Sequence, residues 1–176
     1  MIIVMSDSHT ERTVIEDIKT EYLDKASAII HCGDSELPVN DLIWSGITVV
    51  GGNCDYDPEY KDYQSLEVEN QHLLVTHGHL QGLSGWGEGR LFDFAAEQHA
   101  DILCFGHIHR PVCEIRNGCL CINPGSVAQP RGDWKEKMYT VIEIFEDSVH
   151  KNFKISYRNL KHEPIKGLQL ELEMLK

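Results

Sequence analysis

Ile102-Leu103-Cys104-Phe105-Gly106-His107-Ile108-His109 reads as a short buried strand that ends on a glycine and turns two imidazoles, two residues apart, into the following loop. Far upstream the same arrangement recurs, where the apolar run Ile2–Met5 leads into Asp7-Ser8-His9. Histidine and carboxylate are borderline-hard donors that hold catalytic zinc, manganese or iron, and such sites gather their donors from several strand ends. Together the two stretches point to a metal site built on a sheet.

Working outward, the remaining apolar runs supply the sheet and its connections. Val14, Ile15, Ile18 and Leu23 keep roughly helical spacing and predict a helix over 11–23. Strands are expected at Ala28–His31 and at 47–50. Segments 66–69 and 73–76 flank Asn70-Gln71 and read as a hairpin, although that turn lacks the usual glycine. A helix over 89–99 would put Leu91, Phe92, Ala95 and Ala96 on its inner face. Segments 112–116 and 119–122 pair across Asn117-Gly118, the strongest hairpin signal in the chain. A closing pair, 138–145 and 150–157, turns at Glu146-Asp147-Ser148, and the tail from Lys161 fits strand and helix alike.

No repeat, low-complexity tract or Pro/Gly/Ser-rich linker interrupts these elements, so the 176 residues read as one domain over 1–176. Hydrophobic residues make up 41% and charged residues 25%, the balance of a globular protein with a sound core. The 28 acidic residues outnumber the 16 basic ones, for a net charge of -12. A field of that sign repels long nucleic acids and anionic membrane surfaces, while a small anionic substrate remains admissible where a metal reverses the potential locally. The N-terminal apolar run reaches Asp7 too early for a signal peptide, and no run is long enough to span a bilayer, so a cytoplasmic location is expected. The six cysteines show no zinc-finger spacing and read as thiols, with Cys119 and Cys121 alternating on a strand as structural residues.

Each polar cluster falls just after an apolar strand. Asp7 and His9 follow the first, Gly33-Asp34 the second, Gly52-Asn53-Cys54-Asp55 the third, His77-Gly78-His79 the hairpin, and Gly106-His107-Ile108-His109 the strand from Ile102. Groups beyond the carboxyl ends of strands in such sheets converge in one crevice. Taken singly, an Asp after a strand is more often a cap, a lone His a satisfied hydrogen-bonding group, and Gly52-Asn53 a turn. The joint order, with every member at a strand exit, favours one site over five coincidences.

In that order the motifs resemble the calcineurin-like metallophosphoesterase signature, and Asn123-Pro124-Gly125-Ser126 with the short length looks like its small bacterial and archaeal phosphodiesterase branch, the YfcE/MJ0936 type. The resemblance runs over about 1–157. It implies an α/β (α+β) four-layer fold, in which two mixed β-sheets pack as a sandwich flanked by helices, and a metal-dependent hydrolase acting on phosphodiesters. Carried over, Asp7, His9, Asp34 and His109 would hold one metal, and Asp34, Asn53, His77 and His107 the other, with Asp34 bridging. A carboxylate has two oxygens and suits two ions about 3.5–4 Å apart, whereas an imidazole or amide serves one. The implied cofactor is a pair of divalent ions, manganese first, with iron, nickel or zinc also admitted by mixed nitrogen and oxygen donors.

Two divalent ions bring roughly four positive charges, of which Asp7 and Asp34 cancel two. A bridging hydroxide and one phosphodiester anion match the surplus, and in-line attack of that hydroxide on phosphorus is the expected reaction. The family carries histidine after the Gly-Asn pair; here the residue is Cys54, a poor proton donor, which reads equally well as a neighbouring thiol without a catalytic role. Substrate contacts are assigned to Asn53, His79, Ser126 and Arg131, with His79 also read as a partner orienting His77 and Arg131 also as a solvated surface residue. Asp55 reads as closing the Gly-Asn loop. Tyr56, Trp86 and Trp134 read as an aromatic wall or as packing, and His31, His72, His99, His150 and His162 fall in no motif. Two other readings compete: a protein-binding scaffold like the retromer subunit of this architecture, and a mononuclear zinc hydrolase that leaves Asn53 and His77 idle. Homo-oligomerisation stays open.

Overall fold

Ile2, Ile3, Val4 and Met5 are all fully buried, because the strand they form is central and covered on both faces. In the computed structural model, which describes residues 1–83, 89–146 and 149–175, this strand is β1 (Ile2–Met5). It is followed by α1 (Arg12–Tyr22), β2 (Ala28–His31), β3 (Thr48–Val49), β4 (Tyr63–Val68), β5 (Gln71–Thr76) and α2 (Leu91–Glu97). Then come β6 (Ile102–Phe105), β7 (Pro111–Arg116), β8 (Cys119–Pro124), β9 (Met138–Glu146), β10 (His150–Asn159) and β11 (Pro164–Leu175).

The strands form two mixed sheets, one ordered β11-β10-β9-β1-β2-β3 and the other β4-β5-β6-β8-β7. In the first, β1, β2 and β3 are parallel to one another, with Val4 opposite Ile30 and Ile30 opposite Thr48. In the second, β5, β6 and β8 are parallel, with Val75 opposite Cys104 and Cys104 opposite Ile122. The inner faces meet in one core containing Val4, Ile30, Val50, Val75, Cys104, Ile122 and Tyr157. Outside the first sheet, Ile15, Ile18 and Tyr22 of α1 pack on Ile3, Met5 and Tyr139. Outside the second, Leu91 and Ala95 of α2 pack on Leu74, Leu103 and Phe105. Helix, sheet, sheet and helix therefore make the four expected layers, and each fully buried Ile or Leu contributes about 1.5–3 kcal/mol.

Three expectations shift. The first hairpin turns at Glu69-Asn70, not Asn70-Gln71, since φ is 52° and 60° at those positions and Val68 pairs with Gln71. Asparagine tolerates the left-handed region, and Gln71 is drawn into the strand because its buried amide bonds Glu146 and accepts from Lys151. Helix α2 is shorter than 89–99, with His99 beyond it in the left-handed region at φ 54°. The tail is a strand: Leu168, Leu170, Leu172 and Met174 alternate with Gln169, Glu171 and Glu173, and β11 pairs antiparallel with β10 at the sheet edge. Asn117-Gly118 makes the expected turn with φ 51° and 78°. In the β9–β10 turn, Asp147 and Ser148 lie outside the described residues, as does Trp86. Among the described residues no helix is long and apolar enough to cross a membrane.

Candidate metal centre

The parallel strands of the two sheets end on the same side, and their exits deliver the candidate ligands. Asp7 and His9 leave β1, Asp34 leaves β2, Asn53 follows β3, His77 directly follows β5, and His107 and His109 leave β6. Backbone hydrogen bonds stitch these loops together: Asp7 N donates to Gly33 O at 3.0 Å, His9 N to Asp34 O at 3.0 Å, and Gly106 N to His77 O at 3.2 Å. Asp7, His9, Asp34, His107 and His109 all have positive φ, between 40° and 73°. Such conformations cost on the order of 1–3 kcal/mol each and survive only where the surroundings impose them.

Two glycines make room. A Cβ on Gly52 would lie 2.1 Å from Asp34 Oδ1, and one on Gly106 would lie 2.1 Å from Ser6 Oγ. Asp55 locks the Gly-Asn loop to the Gly-Asp loop. Its two oxygens accept from Asp34 N, Gly52 N, Ser35 N, Ser35 Oγ and Glu36 N at 2.6–3.0 Å. This is the closing role expected of it.

One donor group comprises Asp7, His9, Asp34 and His109, whose ligand atoms all lie within 4.8 Å of one another. His109 Nε2 is 3.1 Å from Asp7 Oδ1 and 3.3 Å from His9 Nε2. Asp7 Oδ2 is buried without a hydrogen-bond partner, an arrangement that costs free energy unless a cation meets it. A second group forms around His77, whose Nε2 is 3.2 Å from Asn53 Oδ1 and 3.4 Å from Asp34 Oδ2. The His107 ring stands 5.1 Å from the His77 ring, centroid to centroid. Asp34 belongs to both groups.

The rings are held from behind. His77 Nδ1 donates to Cys32 O and His109 Nδ1 to Gln129 O, both at 2.7 Å, while His9 Nδ1 lies 2.7 Å from Glu36 Oε1. A proton kept on Nδ1 leaves the Nε2 lone pair pointing into the cleft, the tautomer a metal needs. Burial disfavours a charge on Asp34, but the hydrogen bond and charge of His77 and the Cys54 N–H outweigh it and hold the carboxyl well below its usual range. Burial likewise opposes protonation of His77, and Asp34 outweighs it, raising the imidazole. The donor set, the orphaned Asp7 oxygen and the fixed tautomers fit metal ions. Asp7, His9, Asp34 and His109 would hold one, and Asp34, Asn53, His77 and His107 another.

The remaining candidates divide. Ser126 is fully buried, and its hydroxyl donates to Asp7 O at 2.8 Å while accepting from Ala128 N and Gln129 N. Its hydroxyl is committed to fixing the Asp7 loop, which corrects its assignment as a substrate contact. Arg131 is exposed beside the cleft, its amide bonded to His109 O at 2.9 Å. His79 is half-buried, with its ring 5.3 Å from His77 and 6.2 Å from His107. Cys32 O, not His79, holds His77 Nδ1; burial and then His77 lower the His79 pKa. Burial and then Asp34 push the Cys54 thiol up to about 11. Tyr56 is 89% exposed, whereas Trp134 packs against the inter-sheet core.

Two supporting residues escaped the sequence reading. His31 is fully buried under the cleft; its Nδ1 accepts from Gly33 N at 3.2 Å and its Nε2 donates to Ser8 Oγ at 2.9 Å. It ties the β1 and β2 loops together, and its only signal is a polar residue ending an apolar strand. Glu36, behind His9, has no signal beyond following the Gly-Asp pair by two positions.

Comparison with known proteins agrees with this geometry. Residues 1–147 match the model of the calcineurin-like phosphoesterase superfamily domain. The chain is 35% identical over 152 residues to the probable metallophosphoesterase YsnB of Bacillus subtilis (strain 168), covering 86% of this chain and 89% of that one. It is 35% identical over 94 residues to phosphodiesterase YfcE of Escherichia coli (strain K12), covering 49% of this chain and 47% of that one. Among solved structures, a predicted phosphoesterase from Streptococcus pneumoniae TIGR4 superposes with a TM-score of 0.90 at 35% identity, over 98% of this chain and 97% of that chain. Four layers, ligand-bearing strand exits and these likenesses lead to one conclusion: the chain belongs to the calcineurin-like phosphoesterase superfamily.

Proposed function

We propose that the protein is a phosphodiesterase of one domain, spanning 1–176, which hydrolyses small phosphodiesters with two divalent ions, manganese foremost. The observation that carries this reading is the place of Asp34, whose carboxylate lies within both donor groups while the neighbouring Asp7 keeps an oxygen without a hydrogen-bond partner. When bound, such ions would supply Lewis acidity toward phosphorus and would lower the pKa of a water from 15.7 to about 7.

The chain's own residues supply position and charge. Asp7 and Asp34 are the anionic donors, so two divalent ions would leave roughly two positive charges, enough for a hydroxide and a singly charged diester. His9, His77 and His109 are aimed before any substrate arrives, because each Nδ1 is already engaged outside the cleft. His79 and Arg131 stand at the rim as contacts for non-bridging phosphate oxygens, and Asn53 reaches the cleft with its amide oxygen 3.2 Å from His77. With a thiol at position 54, diesters with good leaving groups, aryl or activated nucleotide esters, are the preferred class. The net charge of -12 supports small substrates over long nucleic acids.

Metal analysis with a substrate panel tests the reading. About two ions per chain and hydrolysis of diesters in preference to monoesters, both lost in Asp34→Asn, are expected. One ion per chain would favour the mononuclear hydrolase, and none at saturating manganese the scaffold.

A further inference from the structure

A second set of metal donors lies at the outer lip of the cleft. One ligand atom each from His9, Glu36 and Cys54 come within 4.8 Å of one another. Two donors on a tetrahedral zinc stand about 3.6 Å apart, given bonds of about 2.0–2.3 Å, so rotation of Glu36 and Cys54 at the surface closes the remaining gap. Glu36 Oε1 is already 2.7 Å from His9 Nδ1, and Asn53 Nδ2 donates to Cys54 Sγ at 3.3 Å. The cysteine thus stands between the Asn53 amide and the carboxylate that backs His9.

The two donor sets differ in chemistry. Carboxylates, an amide and imidazoles admit manganese, whereas thiolate with imidazole and carboxylate selects a softer ion. We propose that His9, Glu36 and Cys54 form an outer site for one soft divalent ion, such as zinc or cadmium, and that its occupation blocks the cleft. Binding breaks the Cys54 S–H and His9 Nδ1–H bonds, forms a sulphur–metal and a nitrogen–metal bond, and releases both protons to solvent. The ion takes His9 Nδ1 in place of Glu36's hydrogen bond, and because Cys54 N is tied to Asp34 Oδ1 at 2.8 Å, it sits one residue from the carboxylate shared by the inner groups. Zinc in excess is therefore an inhibitor of the manganese-loaded protein. The outer site shares the His9 ring with the inner donors and adds Glu36 and Cys54; only this inhibitory consequence rests on the proposed hydrolysis.

Titration of the full chain with cobalt(II) or cadmium(II), read by the sulphur-to-metal charge-transfer band, tests the site without any turnover. With manganese already on the inner donors, we expect a band that saturates at one added ion per chain, weakens at least tenfold in apparent affinity in Glu36→Gln, and vanishes in Cys54→Ser. Asp7→Asn, which damages the inner donors alone, keeps the band. A band that survives Cys54→Ser, or no band in the unaltered protein, overturns the proposal. In manganese-loaded protein, zinc should inhibit diester hydrolysis with a midpoint that Cys54→Ser moves upward at least tenfold; an unmoved midpoint overturns the inhibitory role. Should no diester be hydrolysed at all, the proposed function fails while the charge-transfer band still decides the outer site.

Discussion

His9 and His109 face each other through their Nε2 atoms at 3.3 Å, although they stand 100 positions apart in the chain, and each ring is pinned through its Nδ1 by a group outside the cleft. Two lone pairs at that distance repel unless something positive lies between or beside them. The repulsion is built in by strained loops and buried hydrogen bonds, and a cation relieves it along with the charge on Asp7 and Asp34.

Metal binding should therefore stabilise the fold. At a free concentration of about 100 Kd, a ligand specific for the native state adds about 2.7 kcal/mol. For a chain of this size that corresponds to a rise of about 5–10 °C in Tm. Thermal unfolding with a chelator and then with manganese measures it, and Asp34→Asn should lose most of the rise. A melting temperature indifferent to manganese would count against the whole donor assignment.

Gly52→Ala places a methyl carbon 2.1 Å from Asp34 Oδ1 and 2.5 Å from Asp34 N, so the carboxylate must move. The displaced group is shared by both donor sets, and a loss of about 10–100-fold in manganese affinity is expected, as for other disturbances that misplace a metal ligand. Calorimetric titration supplies the readout, with far-UV circular dichroism to show that the sheets persist. Wild-type affinity in a folded Gly52→Ala protein would contradict the close approach.

Ser126 and Arg131 lie on one loop and should behave oppositely. Ser126→Ala leaves the Asp7 carbonyl and two amides short of a partner, at a cost of about 1–3 kcal/mol in stability with KM unchanged. Arg131→Ala should leave Tm alone and raise KM for a diester several-fold, the loss expected of one exposed phosphate contact. A Tm effect for Arg131→Ala, or a KM effect confined to Ser126→Ala, would reverse the assignment.

These two residues also show how far the sequence is legible. The central strands β1, β2 and β6 are readable because a strand covered on both faces needs an unbroken apolar run, and the ligands because they follow such runs directly. Ser126 and Arg131 look alike on that criterion, since the sequence of a loop does not disclose which side chain turns inward. Glu36 and His31 act through hydrogen bonds across loops, a relation that spacing along the chain does not record. The alternation from Leu168 to Met174 is a strand signal in plain view. Its edge position, where only one sheet face is covered, weakens the apolar run that would otherwise announce it.

The buried His31 sets an acid limit on the metal-free protein. Burial lowers its pKa from 6.5 to about 4, so the folded state favours the neutral ring and binds fewer protons than the unfolded chain between those values. Its contribution is complete above about pH 6.5 and is lost as pH falls through about 4, amounting to about 3 kcal/mol at most. Urea unfolding in chelator across that window should show stability falling with pH, with a shallower fall in His31→Gln. Equal slopes in the two proteins would remove His31 from the account.

Cys54 decides which leaving groups the cleft can serve. In the metal-free protein, burial and then the charge of Asp34 push its thiol up to about 11, and a thiol is a poor proton donor to a leaving oxygen. A departing aryl oxide needs no proton, whereas an alkoxide does, and a positioned acid of suitable pKa contributes roughly 10²–10⁴-fold to such a step. With manganese, the wild-type rate should fall steeply as the leaving group's pKa rises along a series of diesters. Cys54→His should flatten that dependence, gaining about 100-fold on alkyl diesters and little on aryl ones, because an imidazolium near neutrality is the better donor. An unchanged slope in Cys54→His would mean that proton delivery comes from elsewhere, with His79, whose ring stands 5.3 Å from that of His77, the next group to alter.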